Sequence, residues 1–243
     1  MNPIVLVTAH SGGFIRKPNS MEYVASMLAL HPDIMEVDVR TTLDKTVVLW
    51  HDPSIPGGSK TIAESTVSEL KQQFPQLLTL DQVVPILKEQ DIMLNLDIKD
   101  IKAVEPVCHL IAQHHWQRQV LFSGCQEEEL ELLYRLEPEA KALFNADRYP
   151  GETDYRQFTM TMVERTRKAK AFALNINHED VFPSLLHACR KALVPLFVWT
   201  VDDRARMEEL VKLGVYGITT HEVALLTQVL SSRDGMCAPS VLP

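Results

Sequence analysis

The chain has 243 residues, 46% of them hydrophobic and 23% charged, which are ordinary values for a globular protein with a large buried core and suit one α/β barrel or two small domains. A formal net charge of −8 argues against a nucleic-acid partner, so an anionic ligand would need a local cationic site such as a metal. We expect a soluble, cytoplasmic protein, because no apolar stretch approaches the roughly 18 residues of a membrane span and the first residues lack the basic segment of a signal peptide.

Short apolar runs alternate with helical patterns along the chain. Nine runs are predicted as strands, at residues 4–10, 34–39, 46–51, 92–98, 120–123, 142–144, 171–176, 196–201 and 217–220. Helical spacing and capping residues predict helices at 20–30, 80–88, 127–136 and 204–213. This alternation predicts a mostly parallel sheet that closes into a barrel, and which of the nine strands belong to the barrel stays open.

One connection breaks the alternation. Only about seven residues, 40–46, separate the second and third strands, whereas a parallel crossover needs a dozen or more. Either the link returns extended without a helix, or the third strand pairs antiparallel.

The domain organisation is predicted to be simple. We find no linker or internal repeat, so residues 1–230 are expected to form a single catalytic barrel domain, and residues 231–243 a loosely ordered C-terminal tail. The four cysteines, Cys108, Cys125, Cys189 and Cys237, are scattered without a C-x-x-C pair, which favours reduced thiols over a disulfide framework or a thiolate metal site.

Two predicted strands carry acidic residues at alternating positions. Glu36 and Asp38 lie two residues apart, and so do Asn95, Asp97 and Lys99. Because side chains alternate across a strand, each set shares one face, which we expect to point into the barrel lumen.

Three carboxylates against one lysine are costly to bury without a further cation. We therefore predict one divalent cation held by Glu36, Asp38 and Asp97, with Mg²⁺ or Ca²⁺ favoured by hard oxygen ligands and Mn²⁺ as a third candidate. The alternative is that one or both strands lie at a sheet edge with a solvated face.

Two histidines end predicted strands, at the positions where barrel active sites are built. His10 is followed by a serine and two glycines, and His51 is followed by Asp52. Imidazoles at such positions suit proton transfer near neutral pH. Each histidine taken alone is more often a structural polar residue than a catalyst.

In this order the motifs resemble the glycerophosphodiester phosphodiesterase family. They run His10-Ser11-Gly12-Gly13, Lys17-Pro18-Asn19-Ser20, Glu36-Val37-Asp38-Val39, Thr42-Leu43-Asp44, Val48-Leu49-Trp50-His51-Asp52, Asp97-Ile98-Lys99, Val198-Trp199-Thr200-Val201 and Gly217-Ile218-Thr219-Thr220. The likeness covers roughly residues 4–228. It implies a TIM (β/α)8-type barrel of the phospholipase C-like phosphodiesterase kind.

The resemblance also implies roles for individual residues. His10 and His51 would be the catalytic acid/base pair, without an indication of which is acid and which is base, and the three acids would hold the metal. Lys99 would contact the phosphate of a small-molecule phosphodiester substrate, and Ser11 belongs to the same substrate site. Trp199 would line the pocket, although core packing explains it equally well. The implied reaction is hydrolysis of glycerophosphodiesters to an alcohol and glycerol 3-phosphate.

Three departures from the family pattern bear on the substrate. Ser11 stands where the family has an arginine, which removes a bidentate phosphate contact that Arg16 or Lys17 would have to replace. Asp97 replaces a glutamate, and the P-E-N-T motif is reduced to Asn19 and Ser20. The alternatives left open are a related phosphodiesterase for lysophospholipids or other polyol phosphodiesters, a catalytically weakened barrel that binds metal or phosphate, and a barrel with unrelated chemistry.

Overall fold

The computed structural model describes residues 5–12, 17–152 and 154–235. Within these ranges the strands are β1 Leu6–Ala9, β2 Ile34–Thr41, β3 Val47–Leu49, β4 Met93–Ile98, β5 Val120–Cys125, β6 Lys141–Asn145, β7 Ala173–Asn177, β8 Leu196–Trp199 and β9 Gly217–Thr220. The helices are α1 Met21–Leu30, α2 Val67–Gln73, α3 Leu80–Lys88, α4 Val104–Gln113, α5 Glu127–Leu136, α6 Tyr155–Lys168, α7 Pro183–Lys191, α8 Arg204–Leu213 and α9 Val223–Gly235. Short 3₁₀ turns lie at Ile62–Glu64, Ile101–Ala103, Gln117–Gln119 and His178–Asp180.

Eight parallel strands form a closed barrel. Their order around it is β1-β2-β4-β5-β6-β7-β8-β9, and β9 pairs with β1 to complete the ring. Helices occupy the connections between successive barrel strands, as parallel crossovers require. The predicted TIM-type barrel is confirmed, and each of the nine predicted strand runs overlaps an observed strand.

The strand outside the ring is β3, which pairs antiparallel with the end of β2. Val39 of β2 is in register with Ile98 of β4 on one edge and with Leu49 of β3 on the other. β1 occupies this second edge of β2 only as far as Ala9, which lies opposite Met35. β3 pairs with the same edge of β2 beyond that point. The antiparallel alternative for the short connection is therefore the correct one, and β3 returns the chain toward the barrel mouth.

Alternation along the strands divides the core into two parts. Outward side chains such as Val37 and Leu96 are fully buried beneath the helices, in the main hydrophobic core. Inward side chains at the start of the strands form a separate apolar floor inside the lumen, composed of Ile34, Leu121, Leu143, Ala173 and Phe197 with Leu6 and Met93 against them. Gly217 makes room for this floor, because a Cβ there would lie 2.4 Å from ring atoms of Phe197. Above the floor the inward positions become polar.

The end of the chain differs from the prediction. Helix α9 continues to Gly235, so residues 231–235 are helical and not part of a loose tail. Residues 236–243, with Cys237, lie outside the described part, as do Gly13 and Arg16 of the predicted site. No helix within the described ranges is long and apolar enough to cross a bilayer.

Candidate active site

The three predicted acids meet at the carboxyl-end mouth of the barrel. Glu36 and Asp38 come from β2 and Asp97 from β4, with Asp38 and Asp97 in direct register. One carboxylate oxygen from each acid lies within 4.8 Å of those of the other two. The structure thus brings together the acids that the strand pattern placed on one face, and Asp97 reaches the cluster despite being shorter than glutamate.

Glu36 is buried, as Asp38 is, whereas Asp97 is only partly buried. Oε2 of Glu36 accepts a hydrogen bond of 2.6 Å from the backbone N–H of Ser11, whereas its buried Oε1 has no hydrogen-bond partner among the described residues. Burial, together with the charges of Asp38 and Asp97, raises the pKa of Glu36 well above its usual range. A carboxylate in this environment needs a nearby positive charge to stay ionised.

Lys99 supplies part of that charge by bridging two of the acids. Its ammonium lies 2.9 Å from Oδ1 of Asp38 and also contacts Oδ2 of Asp97. Burial alone would lower the pKa of Lys99, but the two carboxylates outweigh it and raise the pKa above the usual value. Lys99 is therefore cationic, and the predicted phosphate contact stays a prediction because its ammonium faces the acids here.

Two polar side chains from the β1–α1 segment orient Asp38. Ser11 donates its hydroxyl to Oδ2 over 2.8 Å, and Asn19 donates its amide to the same oxygen over 2.7 Å while accepting the backbone N–H of Asp38. Burial would raise the pKa of Asp38, but Lys99 and these hydrogen bonds lower it overall. Ser11, predicted as a substrate contact, thus uses its backbone N–H and its hydroxyl to hold acids, and its contact with substrate stays a prediction.

Asp97 is oriented from the other side by β5. The Ser123 hydroxyl donates to Oδ1 of Asp97 over 2.7 Å and accepts from Asn95 over 2.9 Å. Gly124 follows with φ of +70°, and a Cβ there would lie 2.3 Å from the Ile98 carbonyl oxygen and 2.7 Å from Oδ1 of Asp97. Glycine is therefore required where β5 approaches the acidic cluster.

His10 lies directly after β1, at the edge of the cluster. Its Nδ1 is 3.0 Å from the Ser11 carbonyl oxygen, which can only accept, so Nδ1 carries the proton and Nε2 has the lone pair in the neutral ring. Burial is the main cause that lowers the pKa of His10, and His221 contributes in the same direction, against the smaller opposite effects of Ser11, Asp38 and Asp97. His10 is therefore neutral near pH 7.

His51 lies two residues beyond β3, on an exposed rim, with its side chain 64% exposed. Its Nδ1 is 2.8 Å from Oδ1 of Asp52, and the carboxylate fixes this nitrogen as the donor. The sequence pattern placed His51 at the end of a barrel strand. In the structure β3 is not a barrel strand, because it runs antiparallel to β2 and carries His51 back beside β2. A cavity of about 210 Å³ adjoins His51, and this cavity is also lined by Asn19, which bonds Asp38.

Trp199 is the last residue of β8 and shares its face with Phe197 of the lumen floor, two residues earlier. It therefore stands above the floor and is half-buried. Its indole Nε1 is buried and has no hydrogen-bond partner within the described ranges. An indole N–H in this position is suited to bind a polar group of a ligand.

Some residues at the mouth were missed by the sequence analysis. Ser123 orients Asp97, and His221 packs its ring against that of His10. The signal that could have found His221 is strand alternation, since Gly217, Thr219 and His221 share one face at the end of β9.

The donor set fits a divalent cation. Three carboxylates converge from two neighbouring strands, one of their oxygens is buried without a partner among the described residues, and a single lysine opposes them. Hard oxygen ligands of this kind suit Mg²⁺, Ca²⁺ or Mn²⁺. The fold and these side chains define the class of the protein, an α/β-barrel enzyme with an acidic pocket at the carboxyl ends of its strands.

Comparison with known proteins identifies the family. The chain belongs to the glycerophosphoryl diester phosphodiesterase family, whose model matches residues 10–225. A curated glycerophosphodiester phosphodiesterase from Caldanaerobacter subterraneus is 25% identical, over 93% of this chain and 97% of the relative. The predicted family and the predicted enzyme class, a phosphoric diester hydrolase, are confirmed.

Solved structures of related proteins share the fold. The glycerophosphodiester phosphodiesterase of Thermotoga maritima superposes with a TM-score of 0.73 at 24% identity, covering 93% of this chain and 98% of that one. A phosphodiesterase from Oleispira antarctica, solved with the product sn-glycerol 3-phosphate, superposes with a TM-score of 0.79 at 17% identity, covering 94% and 97%.

Proposed function

We propose that this protein hydrolyses glycerophosphodiesters to an alcohol and glycerol 3-phosphate, through a single catalytic barrel domain over residues 1–230. The observation that carries the proposal is the convergence of Glu36, Asp38 and Asp97 at the barrel mouth of a chain in this family. These three residues would hold one divalent cation, which when bound would neutralise a non-bridging phosphate oxygen and the charge that develops on it.

The surrounding polar side chains keep the acids in place for this task. Asn19 and Ser11 bond one oxygen of Asp38, and Ser123 bonds one oxygen of Asp97. Residues that orient ligands in this way commonly change metal affinity or activity by about 10- to 100-fold when they are removed. Lys99 would turn from the acids to the phosphate, and Trp199 would contact the bound substrate.

His10 is proposed as the general base. Its lowered pKa keeps the ring neutral near pH 7, and its Nδ1–H is committed to the Ser11 carbonyl, so Nε2 is the atom that takes the proton of the nucleophile. The nucleophile is water or a vicinal hydroxyl of the substrate. His51 is proposed as the acid that protonates the leaving alcohol, because it stands on the exposed rim where that alcohol would depart.

A direct assay tests the proposal. Purified protein is given glycerophosphocholine, and released choline is measured with and without EDTA, followed by Mg²⁺, Ca²⁺ or Mn²⁺. We expect EDTA to abolish turnover and a divalent ion to restore it. His10→Asn and His51→Asn should each lower kcat by about 10²–10⁴-fold, whereas His187→Asn, an exposed histidine on α7, should not change it.

Two outcomes would reject this assignment. Turnover that survives both histidine substitutions would reject the acid/base roles. Tight binding of phosphate or cation without turnover of any phosphodiester would favour the alternative of a binding barrel.

A second substrate class is favoured by the cavity next to His51. Its walls include Leu49, Trp50, Phe74 and Leu77, so the surface beside the proposed acid is largely apolar. An acyl chain of a lysophospholipid could bury several methylenes there, each worth about 0.8 kcal/mol. Phe74→Ala should then lower kcat/KM for a lysophospholipid while leaving that for glycerophosphocholine nearly unchanged, and equal effects on both substrates would reject this class.

We further propose that the enzyme acts in the cytoplasm on a small-molecule substrate, without a nucleic-acid partner. The support is that Cys108, Cys125 and Cys189 are buried free thiols, and that the net charge is −8. Cell fractionation with an antibody against the protein tests the location, and recovery outside the cytosolic fraction would reject it.

A further inference from the structure

A second histidine–carboxylate pair lies at the barrel mouth without a role in the proposed reaction. Asp202 lies in the loop after β8, and His221 directly follows β9. The last residues of β1 and β9, Ala9 and Thr220, are in register, and the His10 N–H bonds the Thr220 carbonyl over 2.9 Å. His10 and His221 are therefore equivalent positions on adjacent strands, although they come from opposite ends of the chain.

Asp202 binds both the ring and the backbone of His221. Its Oδ2 lies 2.9 Å from the ring Nδ1 of His221, and its Oδ1 accepts the backbone N–H of His221 over 2.8 Å and the hydroxyl of Thr220 over 3.0 Å. Burial would raise the pKa of Asp202, but these hydrogen bonds lower it, so the carboxylate is ionised. The ring of His221 is consequently fixed with Nδ1 as the donor.

The fixed ring of His221 packs edge-to-face against His10. The ring centroids are 4.4 Å apart and the ring planes meet at 73°. The bond from Nδ1 of His10 to the Ser11 carbonyl is a single contact, and rotation about the side-chain torsions of His10 would break it and turn Nε2 away from a substrate. The ring of His221 packs against the imidazole and opposes this rotation.

We propose that Asp202 and His221 form a positioning pair that holds the imidazole of His10 in the orientation needed for proton transfer. The inference rests on the proposed role of His10 in the reaction. Neither residue of the pair is assigned a direct contact with substrate; the pair acts by restricting the base. Displacement of a catalytic group by about 1 Å can cost on the order of 100-fold in rate.

Two variants of the pair and one matched control test the proposal. His221→Ala removes the ring, and Asp202→Asn keeps its shape while replacing an accepting oxygen by an N–H donor, which reverses the hydrogen bond to His221. The control is His114→Ala. His114 resembles His221 because it bonds a carboxylate, that of Asp81, over 2.9 Å, and because its side chain is 23% exposed, against 25% for His221. The His114–Asp81 pair differs in its position, since it joins α3 to the end of α4 away from the mouth.

The kinetic outcome separates positioning from other roles. With glycerophosphocholine we expect kcat to fall about 10- to 100-fold in His221→Ala and by a smaller factor in Asp202→Asn, with KM within about 3-fold of wild type and the control unchanged. A rise in KM at unchanged kcat would overturn the proposal in favour of a substrate contact. Wild-type kcat in both variants would also overturn it, and unchanged melting curves confirm that the variants are folded.

A spectroscopic measurement decides the proposal without catalysis. In protein labelled with ¹⁵N-histidine, the His10 signals are identified by their loss in His10→Asn, and the Nδ1–H of His10 should be protected from exchange in wild type but not in His221→Ala. If wild-type protein hydrolyses no phosphodiester, the proposed function fails, and this signal still tests the pair. Equal protection of His10 in both proteins would overturn the positioning role.

Discussion

Replacement of Gly124 by alanine should damage the fold and the acidic cluster together. The left-handed backbone at φ of +70° costs a side chain about 1–2 kcal/mol. The added Cβ would also lie 2.3 Å from the Ile98 carbonyl oxygen, so β4 and β5 must separate by about 1 Å, at a further cost of about 1–3 kcal/mol for overpacking. We expect a total loss of about 2–5 kcal/mol, or roughly 4–20 °C in Tm.

The control for this prediction is Gly151→Ala. Gly151 has a similar φ of +78°, but no described atom lies within 4 Å of its Cβ position, so only the backbone cost of about 1–2 kcal/mol applies. Urea unfolding measures the stability of each variant, and calorimetric titration with Ca²⁺ measures the cluster. Because the Gly124 Cβ would also press on Asp97, Ca²⁺ affinity should fall only in that variant. Equal stability and equal affinity in the two variants would refute the reasoning.

Three further predictions concern charge at the site. Since burial and the neighbouring acids raise the pKa of Glu36, a bound cation competes with its proton; Ca²⁺ affinity should therefore weaken as the pH falls, and titration in buffers of different ionisation enthalpy should show proton release, the absence of which contradicts the prediction. Lys99→Met leaves Asp38 and Asp97 without their cation and should lower the free energy of unfolding of the metal-free protein by about 3 kcal/mol. Ca²⁺ should then raise Tm more in the variant than in wild type, and an equal rise of Tm in both proteins would contradict this prediction. Because burial and a neighbouring histidine lower the pKa of His10, the acidic limb of kcat/KM should lie below pH 6.5, and a limb above that value would argue that another group is the base.

Local patterns were sufficient to predict the acidic cluster. A strand has a side-chain period of two, so Glu36 with Asp38, and Asp97 with Lys99, could be assigned to one face before any pairing was known. Because β2 and β4 are paired neighbours in the barrel, both of these faces point into the same lumen. This prediction succeeded because it depends on strand geometry alone.

The direction of β3 was left open because its turn carries little signal. Lys45 adopts φ of +64°, a conformation that glycine or asparagine would have signalled, and the turn is stabilised by the side chain of Thr42 bonding Asp44 over 2.6 Å and accepting the Thr46 N–H. These bonds are specific to this loop. Sequence spacing could therefore restrict the connection to two alternatives but could not choose between them.

The contact between His10 and His221 illustrates a different limit. It depends on closure of the barrel, which pairs the first barrel strand with the last. No local periodicity connects residues at opposite ends of a chain. The role of Ser11 was hidden for a similar reason, since its partners Glu36 and Asp38 are supplied by the neighbouring strand.

The apolar floor of the lumen limits the route by which substrate reaches the acids and products leave them. Phe197, Ile34 and the side chains around them fill the barrel beneath the polar layer, so the described structure offers one opening to the acids and no passage to the opposite end. Substrate would enter, and alcohol and glycerol phosphate would depart, by the same route. Each product can then block the next substrate molecule, and at high product concentrations departure becomes a candidate for the step that governs the overall rate.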